Sequence, residues 1–358
     1  MSKLKTIPVS AGRPYEVVID EGLLQQAGSL ARPLTQAQKA VIVTDDIVNG
    51  LYAQTVRSSL EAAGFQTDLF VFQNGEPQKC HRTLTELYEF LAGAQITRKD
   101  ILVALGGGVV GDLAGFAAAT YLRGIDFVQI PTTLLAQIDS SVGGKTGVDI
   151  EAGKNLVGAF WQPKLVLCDT TTLSTLSQEI FSDGMAEAIK YGAIRDLELF
   201  ERIAQGNIQP FLPELIARCV QIKAEIVKND EFDTGERMLL NFGHTFGHAI
   251  EQYYHFSKYT HGSAVAIGMV QISSLAEQYG LSPKGTTDRL IQCCKAYRLP
   301  VEDSIPNDAL INGCCSDKKR MKNILNLILL HKMGEAVIAP LSIEDFIRFV
   351  KGEYRHEG

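Results

Sequence analysis

The chain has 358 residues, 46% of them hydrophobic, and a formal charge of −7 at pH 7. That length suggests two domains, and the composition supports sizeable cores and excludes a disordered chain. A net negative charge argues against non-specific nucleic-acid binding and against residence on an anionic membrane, so an anionic substrate would need a local cluster of Lys and Arg.

Taken in order, the first half alternates. Residues 39–46 (KAVIVTDD) read as a buried strand closed by acids, 51–64 as a helix ending in Gly, 65–72 as a strand, and 82–94 as a helix. Residues 100–108 read as a strand running into a glycine turn, and 127–133 and 164–169 as further strands. Strands alternating with helices predict an α/β layer with a mainly parallel sheet. Beyond about Thr172 helical patterns dominate, over 183–205, 211–229, 234–255, 262–279 and 285–298. The expected organisation is an α/β domain over 1–174 and an all-α domain over 175–358.

Seven cysteines include the adjacent pairs Cys293–Cys294 and Cys314–Cys315 but no C-x-x-C spacing. That argues against a disulfide framework and against a zinc ribbon. The opening MSKLKTIPVSAG has lysines without an apolar core after them, so no signal peptide is expected. The apolar run 324–330 is too short to span a bilayer. The expectation is a reduced, soluble, cytoplasmic protein.

ILVALGGGVVGDLAG places G-x-G-x-x-G at Gly106, Gly108 and Gly111, after a strand and at the start of a helix. Backbone N–H groups at such a helix start can hold a pyrophosphate. A tight turn that packs helix on strand explains the same glycines equally well, and the motif lies too far along the chain for the first βα turn of an ordinary dinucleotide unit. Asp45 and Asp46 close an earlier strand, where an acid can accept from a ribose hydroxyl. Glu76 and Lys79 stand at another strand exit. Together these raise the case for a dinucleotide on one rim.

NFGHTFGHAIEQYYHFSKYTHG (241–262) holds four of the seven histidines. Read as part of one helix, Arg237, Asn241, His244, His248 and Glu251 share a face at spacings of 4, 3, 4 and 3. The other faces carry Leu239, Leu240, Phe242, Phe246 and Ile250, so the helix should be buried, and its polar stripe needs partners because unpaired polar groups in a core cost several kcal/mol. A solvated face is the plainer alternative, but it would normally hold Lys and Glu. Gly243 and Gly247 would admit a neighbouring helix. His244 and His248 at i, i+4 could chelate one metal, although the residues between them (Thr-Phe-Gly) lack the Glu of an H-E-x-x-H helix. One stripe histidine together with His261 is the alternative. Glu187 in SDGMAEAIKYG is a candidate third ligand, with Lys190 on the same face. Two His and one Glu would leave an open, catalytic position on Zn²⁺. Lys145 and Lys154 lie in Gly-rich stretches read as loops, and Lys190, Lys223, Lys318 and Lys319 complete a possible anion-binding set.

These segments, with the run from LVALGGGVVGD to SSVGGKTGVD, GKNLVGAFWQP, GMAEAIKYG and NFGHTFGHAIE in that order, closely resemble the 3-dehydroquinate synthase family over nearly the whole chain. The resemblance implies an NAD-binding, Rossmann-like α/β domain and a helical domain, a site in the cleft between them, and a homodimer. It implies metal ligands at Glu187, His244 and His261, with His248 facing the substrate, and Zn²⁺ or Co²⁺ as the ion. Cofactor contacts carry over to Asp45, Glu76, Lys79, Gly107, Gly108, Val109, Asp112, Thr132 and Thr133, and to Lys145 and Lys154. Catalytic and substrate contacts carry over to Asp139, Lys145, Lys190, Lys223, Asn241 and His248, and to Arg123, Lys154, Asn155, Arg237 and Lys318, Arg123 reaching into the partner subunit's site.

The implied substrate is an anionic sugar phosphate, 3-deoxy-D-arabino-heptulosonate 7-phosphate. It would be oxidised transiently at C5 by NAD⁺, lose phosphate, be reduced again, open and close by an intramolecular aldol step, as in the shikimate pathway. Another sugar phosphate cyclase, of the 2-deoxy-scyllo-inosose synthase kind, a metal-dependent polyol dehydrogenase and a non-catalytic NAD-binding scaffold are the rival readings. The chain departs from the family at Ile47 and at Ile180, near two expected nucleotide contacts.

Overall fold

The computed structural model describes residues 5–315 and 323–354. The chain forms two compact units, Met1–Ser177 with Ile216–Phe232, and Gln178–Leu215 with Asp233–Gly358. Residues 216–232, assigned from the sequence to the helical half, cluster with the first unit. A boundary drawn from changing texture cannot detect a helix that returns.

The first unit is built on β1 (Lys5–Val9), β2 (Tyr15–Asp20), β3 (Lys39–Asp45), β4 (Gln66–Phe72), β5 (Ile101–Gly106), β6 (Asp126–Pro131), β7 (Lys145–Ile150), β8 (Gly153–Phe160) and β9 (Leu165–Asp169). Between them lie α1 (Ala27–Ala31), α2 (Asp46–Val48), α3 (Gln54–Ala62), α4 (His81–Gly93) and α5 (Gly108–Thr120). Among the described residues one sheet runs in the order β1-β2-β9-β6-β5-β3-β4. It is parallel except for the antiparallel β1–β2 pair.

Successive side chains on a strand point to opposite faces, and both faces here are covered. Ile42, Val103 and Leu105 pack with Val56 and Leu60 of α3 on one side. Val41, Val43, Leu102 and Ala104 pack with Leu84, Leu87 and Leu91 of α4 and Leu113 of α5 on the other. This is why β5 reads as an unbroken apolar run and is buried throughout. From β3 the chain moves outward to β4, then returns to β5 on the other side of β3. The carboxyl ends of β3 and β5 therefore flank a topological switch point, where open α/β sheets leave a ligand crevice.

Lys145 and Lys154 are not in loops. They lie on β7 and β8, a separate antiparallel hairpin in which Gly147 faces Gly158. A Cβ on Gly158 would stand 2.1 Å from the Thr146 carbonyl oxygen. Gly147 and Gly158, two of the glycines that suggested a loop, let two strand backbones approach.

The second unit contains α6 (Gln178–Arg195), α7 (Leu197–Ala204), the start of α8 (Leu212–Asn229), α9 (His244–Tyr253), α10 (His261–Gln278), α11 (Thr286–Ala296), α12 (Asn307–Cys315), β10 (Ile324–Lys332), β11 (Glu335–Ser342) and α13 (Ile343–Lys351). It is mostly helical rather than all-α, because the apolar run near the end forms one arm of the antiparallel β10–β11 hairpin. The expected helix over 183–205 is two, divided at Asp196, whose carboxylate caps α7 through the Leu199 N–H. The expected continuous helix over 234–255 is also broken. Glu236–Asn241 forms a 3₁₀ turn, and Gly243 takes φ +80° before α9 begins at His244. Such a backbone is open to glycine at little cost. No helix of the described residues is long and apolar enough to cross a membrane.

Candidate active site

In the second unit, Glu187 on α6, His244 and His261 offer ligand atoms that all lie within 4.8 Å of one another. His244 and His261 are the first residues of α9 and α10. Those helices pack closely because Gly243 and Gly247 on one side meet Gly268 on the other. A Cβ on Gly268 would fall 2.1 Å from the Gly243 oxygen and 2.9 Å from the Gly247 nitrogen. The α10 start is tied to α6 as well, since the Asp183 carboxylate accepts from the Gly262 N–H at 2.5 Å. Asp183 and Glu187 stand one helical turn apart, so α6 positions both the N-terminus of α10 and the imidazole it carries.

Glu187 has no exposed side-chain surface, and its Oε1 stands 3.3 Å from His244 Nε2 and 3.6 Å from His261 Nε2. Bonds of roughly 2.0–2.1 Å at tetrahedral angles place ligand atoms roughly 3.4 Å apart. Among the described residues, neither Glu187 oxygen receives a well-formed hydrogen bond, although the Lys190 ammonium meets Oε2 as an ion pair. A wholly buried carboxylate without an aligned donor is costly, and a divalent ion relieves that cost. His244 Nδ1 lies 3.2 Å from the Phe242 carbonyl oxygen. Nδ1 therefore carries the proton and Nε2 turns its lone pair toward Glu187. The donor set fits a divalent metal with an open position.

The electrostatics agree. Burial opposes charge on Glu187, but the Lys190 ammonium, with the His244 and His261 ring nitrogens beside it, holds its carboxyl well below the usual range. Burial, helped by Lys190, pushes the His244 imidazole down and keeps it a neutral ligand. Burial would lower His261 too, yet contacts with Glu187 and Glu251 outweigh it and raise the group to about 10. A proton on Nε2 and a divalent ion satisfy the same carboxylate in turn.

A second set, His248, Glu251 and His261, also lies within 4.8 Å. His248 is exposed, with ring centroids 5.4 Å from His244 and 5.9 Å from His261. Glu251 is 3% exposed and faces Nδ1 of His261, the nitrogen turned away from Glu187.

In the first unit, the carboxyl ends of parallel strands gather the expected cofactor residues on one rim. Asp45 ends β3 and caps α2 through the Val48 N–H. Gly107 precedes the first residue of α5, Gly108, with Val109 following it. A Cβ on Gly107 would stand 3.2 Å from the Thr133 methyl, and one on Gly108 would stand 3.2 Å from Ser140 Oγ. Thr132 and Thr133 follow β6, and the Thr132 N–H donates to the Gly106 carbonyl at 3.0 Å. Lys79 is buried among carboxylates, with Nζ 3.0 Å from Asp112, 3.4 Å from Glu76 and 3.9 Å from Asp149. Burial alone would lower its pKa, but the three acids raise it, so Lys79 stays charged. Lys154 extends toward Glu76 at 3.9 Å. Asn155 follows on β8 at φ +56°, its N–H held by Asp149.

Lys223, on the portion of α8 that belongs with this unit, donates to the Asp139 carbonyl at 2.6 Å and pairs with its carboxylate. Lys145 is exposed at the start of β7. Arg123 is exposed and takes φ +67° beside Leu122 at +50°.

Residues 69–183 match the family model of the 3-dehydroquinate synthase N-terminal domain, and 184–320 that of its C-terminal domain. The chain belongs to the 3-dehydroquinate synthase family. It is 44% identical to a 3-dehydroquinate synthase of Clostridium acetobutylicum, over 97% of this chain and 99% of the relative. It is 48% identical to one of Streptococcus sanguinis, over 94% of this chain and 97% of the relative. Among solved structures it is similar to a 2-deoxy-scyllo-inosose synthase complexed with carbaglucose-6-phosphate, NAD⁺ and Co²⁺ (26% identity, 97% and 100% of the chains, TM-score 0.86). It is similar also to a 2-epi-5-epi-valiolone synthase from Streptomyces hygroscopicus with NAD⁺ and Zn²⁺ bound (28%, 99% and 97%, TM-score 0.86).

Within this family member, the buried Arg237 and exposed Asn241 lie on the 3₁₀ turn before α9, not on α9 itself. Lys318 lies outside the described residues. Ile47 and Ile180, the departures near expected nucleotide contacts, are 57% and 45% exposed. Sequence reasoning passed over Asp183 and Asp303. Asp303 accepts from Tyr259 at 2.8 Å, Lys258 at 2.9 Å and Tyr254 at 3.1 Å. It thereby holds the 254–260 loop that leads into His261. These three donors lie 44 or more residues away, a distance at which no periodic pattern signals a contact.

Proposed function

We propose that this chain is a working 3-dehydroquinate synthase, releasing phosphate from 3-deoxy-D-arabino-heptulosonate 7-phosphate and closing the carbocycle of 3-dehydroquinate with no net oxidation. The observation that carries the reading is the buried Glu187 carboxylate facing Nε2 of both His244 and His261, in a chain of this family. Glu187, His244 and His261 would hold one Zn²⁺ or Co²⁺, and the rim from Asp45 to Thr133 would hold NAD⁺. When bound, the ion would supply a Lewis acid for substrate oxygens and NAD⁺ a hydride acceptor.

The chain's own groups do the rest. Gly107, Gly108 and Val109 offer N–H groups at the start of α5 to a pyrophosphate. Asp45 and Glu76 accept from ribose hydroxyls in this reading, and Asp112 keeps the Lys79 ammonium in position. Lys145, Asn155, Arg237 and Lys318 grip the substrate phosphate through charge-assisted hydrogen bonds, with Lys154 and Arg123 adding positive charge. Lys190 and Lys223 serve the carboxylate and hydroxyl end, Asp139 orienting the Lys223 ammonium. Asn241 and His248, both exposed, hydrogen-bond ring oxygens or relay protons. A cytoplasmic homodimer completes the reading, with Arg123 serving the partner's site.

Supplied with the heptulosonate phosphate, NAD⁺ and Zn²⁺, the enzyme should release one phosphate per substrate without accumulation of NADH, followed by phosphate assay and absorbance at 340 nm. Persistent NADH would indicate a dehydrogenase. Faster turnover of glucose 6-phosphate or sedoheptulose 7-phosphate would indicate another cyclase. His248→Ala should lower turnover by about 10²–10⁴-fold, the usual worth of a positioned proton-transfer group, while bound metal stays near one equivalent by elemental analysis. Loss of the ion would make His248 a ligand instead.

A further inference from the structure

We propose that Glu251 is a positioning residue for the ion centre, holding His261 in the one tautomer and ring orientation that turns Nε2 toward Glu187 and His244. The proposal rests on the reading of Glu187, His244 and His261 as ligands of one ion.

The geometry assigns the two ring nitrogens of His261 to opposite carboxylates. Nε2 faces Glu187 at 3.6 Å, and Nδ1 faces Glu251 Oε2 at 3.4 Å. An imidazole that gives its Nε2 lone pair to an ion keeps its proton on Nδ1, and that proton needs an acceptor. His244 finds its acceptor in a backbone carbonyl two residues earlier. His261 is the first residue of α10, and the Thr260 side chain next to it is committed to capping Ser263. Glu251, two turns along α9 from His244, is the group that faces Nδ1. It is 3% exposed, so its acceptor atom is held by packing rather than by solvent.

Charge points the same way. Lys190 already lies against Glu187, so a divalent ion there meets a like charge across a single carboxylate. A second buried carboxylate behind His261 offsets that repulsion and makes the imidazole a stronger donor. The same atoms could be taken for a second cation site of His248, Glu251 and His261. With Nε2 on the ion, however, the Nδ1 proton occupies the space between His261 and Glu251.

The experiment compares wild type, Glu251→Gln and Glu251→Ala. It measures Zn²⁺ Kd by chelator competition, bound metal by elemental analysis and the d–d absorption of the Co²⁺ form, with apo-protein melting as the folding control. Glu251→Ala should bind Zn²⁺ about 10–100-fold more weakly and shift the Co²⁺ bands. Glu251→Gln, isosteric and still able to accept from Nδ1, should lose less. A Kd and a Co²⁺ spectrum unchanged in both variants would overturn the proposal. So would two bound ions in wild type falling to one in Glu251→Ala, which would make Glu251 a ligand. Glu187→Gln is the separate control: if it binds Zn²⁺ as tightly as wild type, the ion centre is elsewhere and both readings fall.

Discussion

Glu187→Gln should leave the protein without its ion and without measurable phosphate release. The substitution keeps the volume of the side chain and removes only its charge. A Lewis acid supplies several kcal/mol of transition-state stabilisation, so turnover should fall on the order of 10³-fold or more at 1.36 kcal/mol per decade. Glu187 also balances Lys190, which is 1% exposed. Removing one partner of a buried pair costs ~3–5 kcal/mol, so the variant should melt earlier even in its apo form. His261→Ala separates the two effects, because it removes a ligand and leaves the Glu187–Lys190 pair intact. It should lose the ion while its apo form stays folded. Elemental analysis and calorimetry on both variants decide the matter, and one tightly bound equivalent in either would refute this ligand set.

Gly268→Ala should be the most damaging small substitution in the second unit. Its Cβ would stand 2.1 Å from the Gly243 oxygen, a main-chain atom that cannot rotate away, and Gly243 is itself committed to φ +80°. α9 and α10 would have to part. Overpacking of this kind costs ~3 kcal/mol, which corresponds to a melting shift of roughly 6–12 °C in a domain of this size. Since each of those helices begins with a histidine of the proposed ligand set, Zn²⁺ affinity should fall with stability. Gly93→Ala is the matched control. Nothing lies within 4 Å of its Cβ and its backbone is not left-handed, so it should melt at or slightly above the wild-type temperature. A Gly268→Ala protein that melts with wild type would mean the helices are not in such close contact.

Much was legible in the residues. The buried strands β3, β5, β6 and β9 announced themselves as apolar runs because a parallel sheet covered on both faces needs them so. Gly243 and Gly247 signalled a close helix neighbour, and α10 with Gly268 is that neighbour. Glu187 and Lys190, three apart on one helix, were readable as a pair and do meet.

What the residues alone left open has a common cause. The break at Gly243 parts Arg237 and Asn241 from the stripe on α9, and the meeting of His261, at the start of α10, with His244 and Glu187 joins three elements, neither of which a spacing argument that assumes one continuous helix can contain. The β7–β8 hairpin looked like loop because its glycines serve strand-to-strand approach. The return of 216–232 to the first unit, the tie from Asp183 to Gly262, the grip of Asp303 on 254–260 and the place of Glu251 behind His261 all join residues distant along the chain or on different elements. Periodicity records which face a residue occupies within its own helix or strand. Only tertiary packing decides which faces meet, and in this protein that decision brings a carboxylate and two imidazoles from three helices together.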